Sequence, residues 1–109
     1  MNAQIKKGIL EMCILYIIKS CDVIYGYDLI KKMTVYFPEV NESTFYSILR
    51  RLHKSNFTYI ILKDISNGPQ RKYYTITQEG EKWLNKNIEE WRELIKITEL
   101  IGIDRTWSN

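Results

Sequence analysis

The chain has 109 residues, 45% of them hydrophobic and 27% charged, a balance that excludes disordered, fibrous and collagen-like polymers and fits a single globular domain. A net charge of +3 identifies no partner by itself, but its distribution is uneven: residues 41–80 hold 6 basic and 3 acidic side chains, against 5 and 4 in residues 1–40 and 5 and 6 in residues 81–109. Cys13 and Cys21 form no CxxC pair and have no His cluster around them, so no metal site, redox motif or cofactor is expected, and the chain reads as cytoplasmic with reduced thiols.

Residues 4–20 are predicted to form a helix with two apolar faces. Ile5, Ile9, Met12, Cys13, Tyr16 and Ile17 lie on one, and Leu10, Ile14, Leu15 and Ile18 on the other. So short a chain cannot cover both faces, which points to a second subunit. The apolar run Ile9 to Ile18 is ten residues, about half what a membrane span needs, and no small-residue cleavage site follows Lys6 and Lys7. Neither an anchor nor a signal peptide is expected.

A second helix opens at Tyr25-Gly26-Tyr27, with Leu29, Ile30, Met33, Tyr36 and Phe37 as its inner stripe, and Pro38 ends it. Asn41 then supplies an N-cap for a third helix, whose Phe45, Ile48, Leu49 and Leu52 fall at i, i+3, i+4 and i+7. Ser43, Ser47, Arg50 and Lys54 occupy the opposite face, flanked by Thr44, Tyr46 and Arg51, with no acid among them. Hydroxyls and cations on a short helix suit the major groove of double-stranded DNA, where Arg reads guanine edges and Ser, Thr and Lys hold bases or phosphates. A merely solvated face is the competing reading. For Tyr46, core packing competes with a base or phosphate contact.

The third helix is expected to close near Ser55-Asn56. Residues 57–62 and 72–76 read as paired strands around a turn cluster, Ser66 to Arg71, that contains an Asn-Gly signal. A hairpin carrying Gln70, Arg71 and Lys72 at its tip, directly after a helix-turn-helix, makes a wing placed to grip the DNA backbone. Thr77 caps the last helix, with Glu79 in its first turn. Leu84, Ile88, Trp91 and Ile95 follow at 4, 3, 4 spacing, widened by Leu94, Ile97, Leu100 and Ile101, and a short tail carries Trp107. The expected fold is mostly α with a β-hairpin wing. Residues 1–77 would form the winged helix-turn-helix and residues 78–109 a C-terminal dimerisation helix, together one compact domain.

As a set, Gly8-Ile9-Leu10-Glu11, Tyr25-Gly26-Tyr27, residues 41–46, Leu49-Arg50-Arg51-Leu52 and residues 68–77 resemble the signature stretches of the PadR family of bacterial transcriptional regulators. With one helix after the wing, the chain is similar to that family's small subgroup, some of whose members sense drug-like compounds. The resemblance, over residues 5 to 97, implies a winged-helix homodimer, mostly a repressor, paired through its first and last helices on an inverted repeat. Asn56 and Thr58 stand where the family usually has a glycine and an aliphatic residue, and Ile60, Ile61 and Leu62 replace a commonly polar or aromatic stretch; these departures touch only the first strand.

Trp91, central in an aliphatic seam, would either fill a dimer core or face its symmetry mate across a slot for a flat aromatic ligand. Matching members of the small subgroup carry a Trp near this place that sandwiches planar drugs, which implies the same role here. Ile88, Glu89, Arg92 and Ile95 are its expected neighbours, and Ile9, Met12, Cys13 and Tyr16 its walls from the first helix. An enzyme is not expected. His53 has no carboxylate at i±3 or i±4, Asp28, Asp64 and Glu79 are scattered, and no glycine-rich phosphate loop occurs. A winged helix used purely for protein–protein interaction is the alternative, against which the acid-free helix face argues.

Overall fold

A computed structural model describes residues 3–103; Trp107 lies outside the described residues. In chain order the elements are α1 (Ala3–Cys21), β1 (Ile24–Tyr25), α2 (Gly26–Tyr36), α3 (Glu42–Lys54), β2 (Thr58–Ile65), β3 (Gly68–Ile76) and α4 (Gln78–Ile101). The three strands make one antiparallel sheet in the order β1-β3-β2. No described helix is long and apolar enough to cross a membrane.

One face of α1, formed by Leu10, Ile14, Leu15 and Ile18, is the floor of the core. Leu29, Ile30 and Met33 of α2, the whole predicted stripe of α3, Ile24, Tyr74 and Leu84 close over it. Burying each such Leu, Ile or Phe contributes about 1.5–3 kcal/mol, so these faces fix how the helices pack. The other face of α1 is only partly covered in the protomer: Met12, Cys13 and Ile17 are half-buried and Tyr16 is exposed.

The inner stripe of α2 stops sooner than its periodicity predicts. Tyr36 is 73% exposed and Phe37 half-buried, because the helix ends at Tyr36 ahead of Pro38 and the chain turns away toward α3. Asn41 is the N-cap residue of α3, but its side chain makes no capping bond; its backbone carbonyl accepts from Thr44 N at 3.0 Å. Asn56 takes the predicted left-handed conformation (φ 65°) and closes α3, with Phe57 N donating to Leu52 O at 3.0 Å and Asn56 N to His53 O at 2.9 Å. His53 Nδ1 donates to Thr58 O at 3.2 Å and ties the end of α3 to β2.

The hairpin is longer and tighter than expected. β2 runs to Ile65, β3 starts at Gly68, and only Ser66 and Asn67 turn, so Gln70, Arg71 and Lys72 lie along β3 rather than at the tip. Lys72 pairs in register with Leu62, and Arg71 with Lys63. β1 was not expected. It adds Ile24 and Tyr25 beside Tyr74 and Tyr73, stitching the start of α2 to the wing. Thr77 caps α4 as predicted, accepting from Gly80 N at 2.9 Å while its hydroxyl donates to Asn56 O at 2.7 Å. The C-terminal half of α4 leaves the body: Leu94, Ile97, Leu100 and Ile101 are exposed. The radius of gyration, 16.5 Å, exceeds the about 13 Å of a compact chain of this length, and the long axis spans 62 Å.

Candidate nucleic-acid interface

The candidate recognition surface lies on α3, whose buried stripe leaves one choice for the outer face. Ser43, Thr44, Tyr46, Ser47, Arg50 and Lys54 are exposed. Ser43, Thr44, Ser47 and Arg51 line one concavity on the α1 side. The half-exposed Arg51 leans toward α1, its guanidinium donating to Glu11 Oε1. That pair joins α3 to α1 and leaves Arg50 and Lys54 as the exposed cations of α3.

On the opposite flank, Tyr46 is 38% exposed, so its ring divides between the core edge and solvent. Partial burial and the nearby Glu42 carboxylate, with Tyr25 and Tyr27, push its phenol above the ordinary value. It therefore stays an O–H donor at neutral pH, as a phosphate contact requires. Burial and, after it, the phenol of Tyr46 push the Tyr74 hydroxyl above its ordinary value, with Arg50 opposing the shift.

The wing residues meet different partners. Gln70 Nε2 donates to Asp64 Oδ1 at 2.8 Å, across the hairpin. The Arg71 guanidinium lies over the Tyr25 ring, 4.8 Å from its centroid, and Tyr25 in turn packs on Tyr73 at 5.4 Å. Lys63, which sequence reasoning did not select, sits 4.4 Å over Tyr73. Lys72 is exposed and has no ion-pair partner among the described residues. These cation–π contacts brace the wing while leaving its charges at the surface.

Trp91, 44% exposed, separates two apolar grooves. One, of about 490 Å³, is lined by Trp91, Ile88, Arg92, Met12 and Tyr16 together with Met33, Tyr36 and Phe37 of α2. The second, of about 580 Å³, brings Ile95 to Trp91 and Met12 along Gly8 and Ile9 of α1. Ile95 thus shares a groove with Met12 but not with Tyr16 or Ile88. The α2 residues escaped notice because periodicity assigned Tyr36 and Phe37 to the core. No cluster of three or more metal-binding side chains occurs among the described residues.

Comparison with known proteins agrees with this architecture. Residues 14–86 match the model of the transcriptional regulator PadR-like family. An uncharacterized protein of Lysinibacillus sphaericus is 33% identical over 102 residues, covering 91% of this chain and 93% of that protein. Among solved structures, a PadR-like transcriptional regulator from Bacillus cereus strain ATCC 14579 is 37% identical with a TM-score of 0.76, covering 92% of this chain and 98% of its own. A PadR-like transcription factor from Bacteroides fragilis is 32% identical with a TM-score of 0.79, covering 92% and 96%. With a winged helix-turn-helix, a long C-terminal helix and a family match over most of its length, this chain belongs to the PadR-like family of transcriptional regulators.

Proposed function

We propose that the chain is a sequence-specific DNA-binding repressor that acts as a homodimer on an inverted repeat and is released by a planar aromatic ligand. The observation that carries this reading is the outer face of α3, where Ser43, Ser47, Arg50 and Lys54 are exposed together with no carboxylate among them, beside a wing that presents Arg71 and Lys72. In this reading Arg50 reads a base edge in the major groove, Lys54 and the hydroxyls set register, and the wing cations hold backbone phosphates. Pairing runs through α1 and α4, whose uncovered Tyr16, Trp91, Leu94, Ile97 and Leu100 need a partner surface. The two α3 helices then meet half-sites one helical turn apart. Trp91 and the walls from α1 receive the ligand, which biases the angle between the two reading heads.

Selection of bound fragments from random DNA with purified protein tests the reading, and a dyad-symmetric site is the expected product. On that site Arg50→Ala costs about 1–3 kcal/mol and relaxes one position, whereas Lys72→Ala weakens all sequences alike. With three or four phosphate contacts per protomer, log K against log salt falls with a slope of about −6. Salt-independent binding, or full affinity in Arg50→Ala, would overturn the interface; a stable monomer in sedimentation would overturn the pairing.

A further inference from the structure

α1 carries two adjacent lysines with different surroundings. Lys6 is largely covered and paired with Glu39 of the α2–α3 turn at 3.6 Å. Lys7 is exposed and has no carboxylate partner among the described residues. It overhangs the concavity of about 440 Å³ walled by Ser43, Thr44, Ser47 and Arg51, and no acid lines that space.

We propose that this basin seats a backbone phosphate of DNA, with Lys7 as its cation and the α3 hydroxyls as its hydrogen-bond donors. The proposal rests on the reading of α3 as the helix that enters the major groove. An α-helix with its side chains is about 10–12 Å across and the groove about 12 Å wide, so a helix lying in it has a phosphate wall on each flank. At 100° per residue, Thr44 and Arg51 mark one flank of α3 and Tyr46 the other. The Tyr46 flank is the one near Tyr25 and Tyr27, where Arg71 also sits, so the wing serves that wall. The basin serves the opposite wall. A phosphodiester only accepts hydrogen bonds, and the basin offers an ammonium and three hydroxyls from two elements. Glu11 holds and neutralises Arg51 at the back of the basin, which leaves Lys7 as the basin's net cation. The seat makes α1 a DNA-contacting helix as well as a packing one. A displacement of α1 at Met12 or Tyr16, in the grooves beside Trp91, then moves a phosphate contact directly.

The test uses the full-length protein and a duplex recovered by selection from random DNA, with affinity measured across a salt series. Lys7→Ala is expected to reduce the magnitude of the log K–log salt slope by about 1.8, one phosphate contact per protomer at 0.9 each, and to weaken every base-substituted site alike. Lys7→Arg keeps the slope. Lys6→Ala, which removes the same formal charge one residue away, leaves it at the natural value. An unchanged slope in Lys7→Ala overturns the seat while leaving the recognition-helix reading intact, provided Arg50→Ala and Lys72→Ala still lose affinity. Equal slope changes in Lys6→Ala and Lys7→Ala also overturn it, since they would report net charge rather than a contact. Failure of Lys7→Ala, Arg50→Ala and Lys72→Ala alike to alter binding would remove the recognition-helix reading itself.

Discussion

Replacing Thr58 with Val should raise stability, whereas the same change at Thr77 should lower it, although both side chains are buried, at 1% and 2% exposure. Thr58 and Val have nearly the same shape, and the Thr58 hydroxyl has no hydrogen-bond partner. An unsatisfied buried hydroxyl costs about 1–3 kcal/mol, so removing it should gain about 1 kcal/mol after local relaxation. The Thr77 hydroxyl instead accepts from Gly80 N and donates to Asn56 O. Its loss removes the α4 cap on the buried Gly80 N–H, worth about 1 kcal/mol, and the bond to Asn56 O, worth about another 1 kcal/mol, for a total of about 2 kcal/mol. Urea unfolding followed by circular dichroism should separate the two variants by about 3 kcal/mol. With m near 1–3 kcal/mol/M, that is a midpoint difference of at least about 1 M. Protein concentration must be held fixed, because association adds to apparent stability. Changes of the same sign, or a Thr77→Val protein as stable as Thr77→Ser, would refute the hydrogen-bond reasoning.

Gly80→Ala is expected to destabilise by about 3 kcal/mol, since a Cβ there would lie 2.2 Å from Phe57 O and 2.8 Å from Ile76 Cγ1; a melting temperature like that of the natural protein would show that α4 can shift freely. Burial pushes the Cys13 thiol up from its ordinary value, so at pH 8 it holds less thiolate and alkylates after the exposed Cys21, its rate still climbing as the pH passes 9. Equal labelling of both thiols at pH 8 in mass spectra would contradict this. Glu11→Gln removes the charge paired with the half-exposed Arg51 and should cost about 0.5–1 kcal/mol, seen as a melting shift of a few degrees; high salt should shrink the difference.

The helices were legible because their buried stripes are strong: Phe45, Ile48, Leu49 and Leu52 were assigned inward from spacing alone and all four are buried. Thr77 as cap and Asn56 as the left-handed closer were also readable, since each residue type has a specific local bond to make. What failed was tertiary. Two residues, Ile24 and Tyr25, are too few to show strand periodicity, and only the exposed edge of β3 makes them a strand. The Asn-Gly pair marked the hairpin but not its centre, because Gly68 belongs to β3 and neither Ser66 nor Asn67 takes a left-handed φ. Within the recognition surface, the outer face of α3 followed from helical phase. The lean of Arg51 toward α1 did not, since Glu11 is forty residues away.

The two-residue strand β1 has a mechanical consequence. It fastens the first turn of α2 to β3 by backbone bonds, while Arg71, Tyr25 and Tyr73 stack across the same joint. Antiparallel backbone pairs resist bending, so wing and helix-turn-helix form a single stiff jaw rather than a jaw with a hinged finger. In the proposed dimer, a clamp with two such jaws would not loosen by letting its wings swing. It would open at the handle, where the C-terminal half of α4 leaves the body beyond a first turn seated at Gly80 with almost no clearance from Phe57. Such a dimer would work as a calliper, in which the gauge between rigid tips is set by a distant pivot, and a change of gauge would alter the half-site spacing that fits rather than the bases each tip reads.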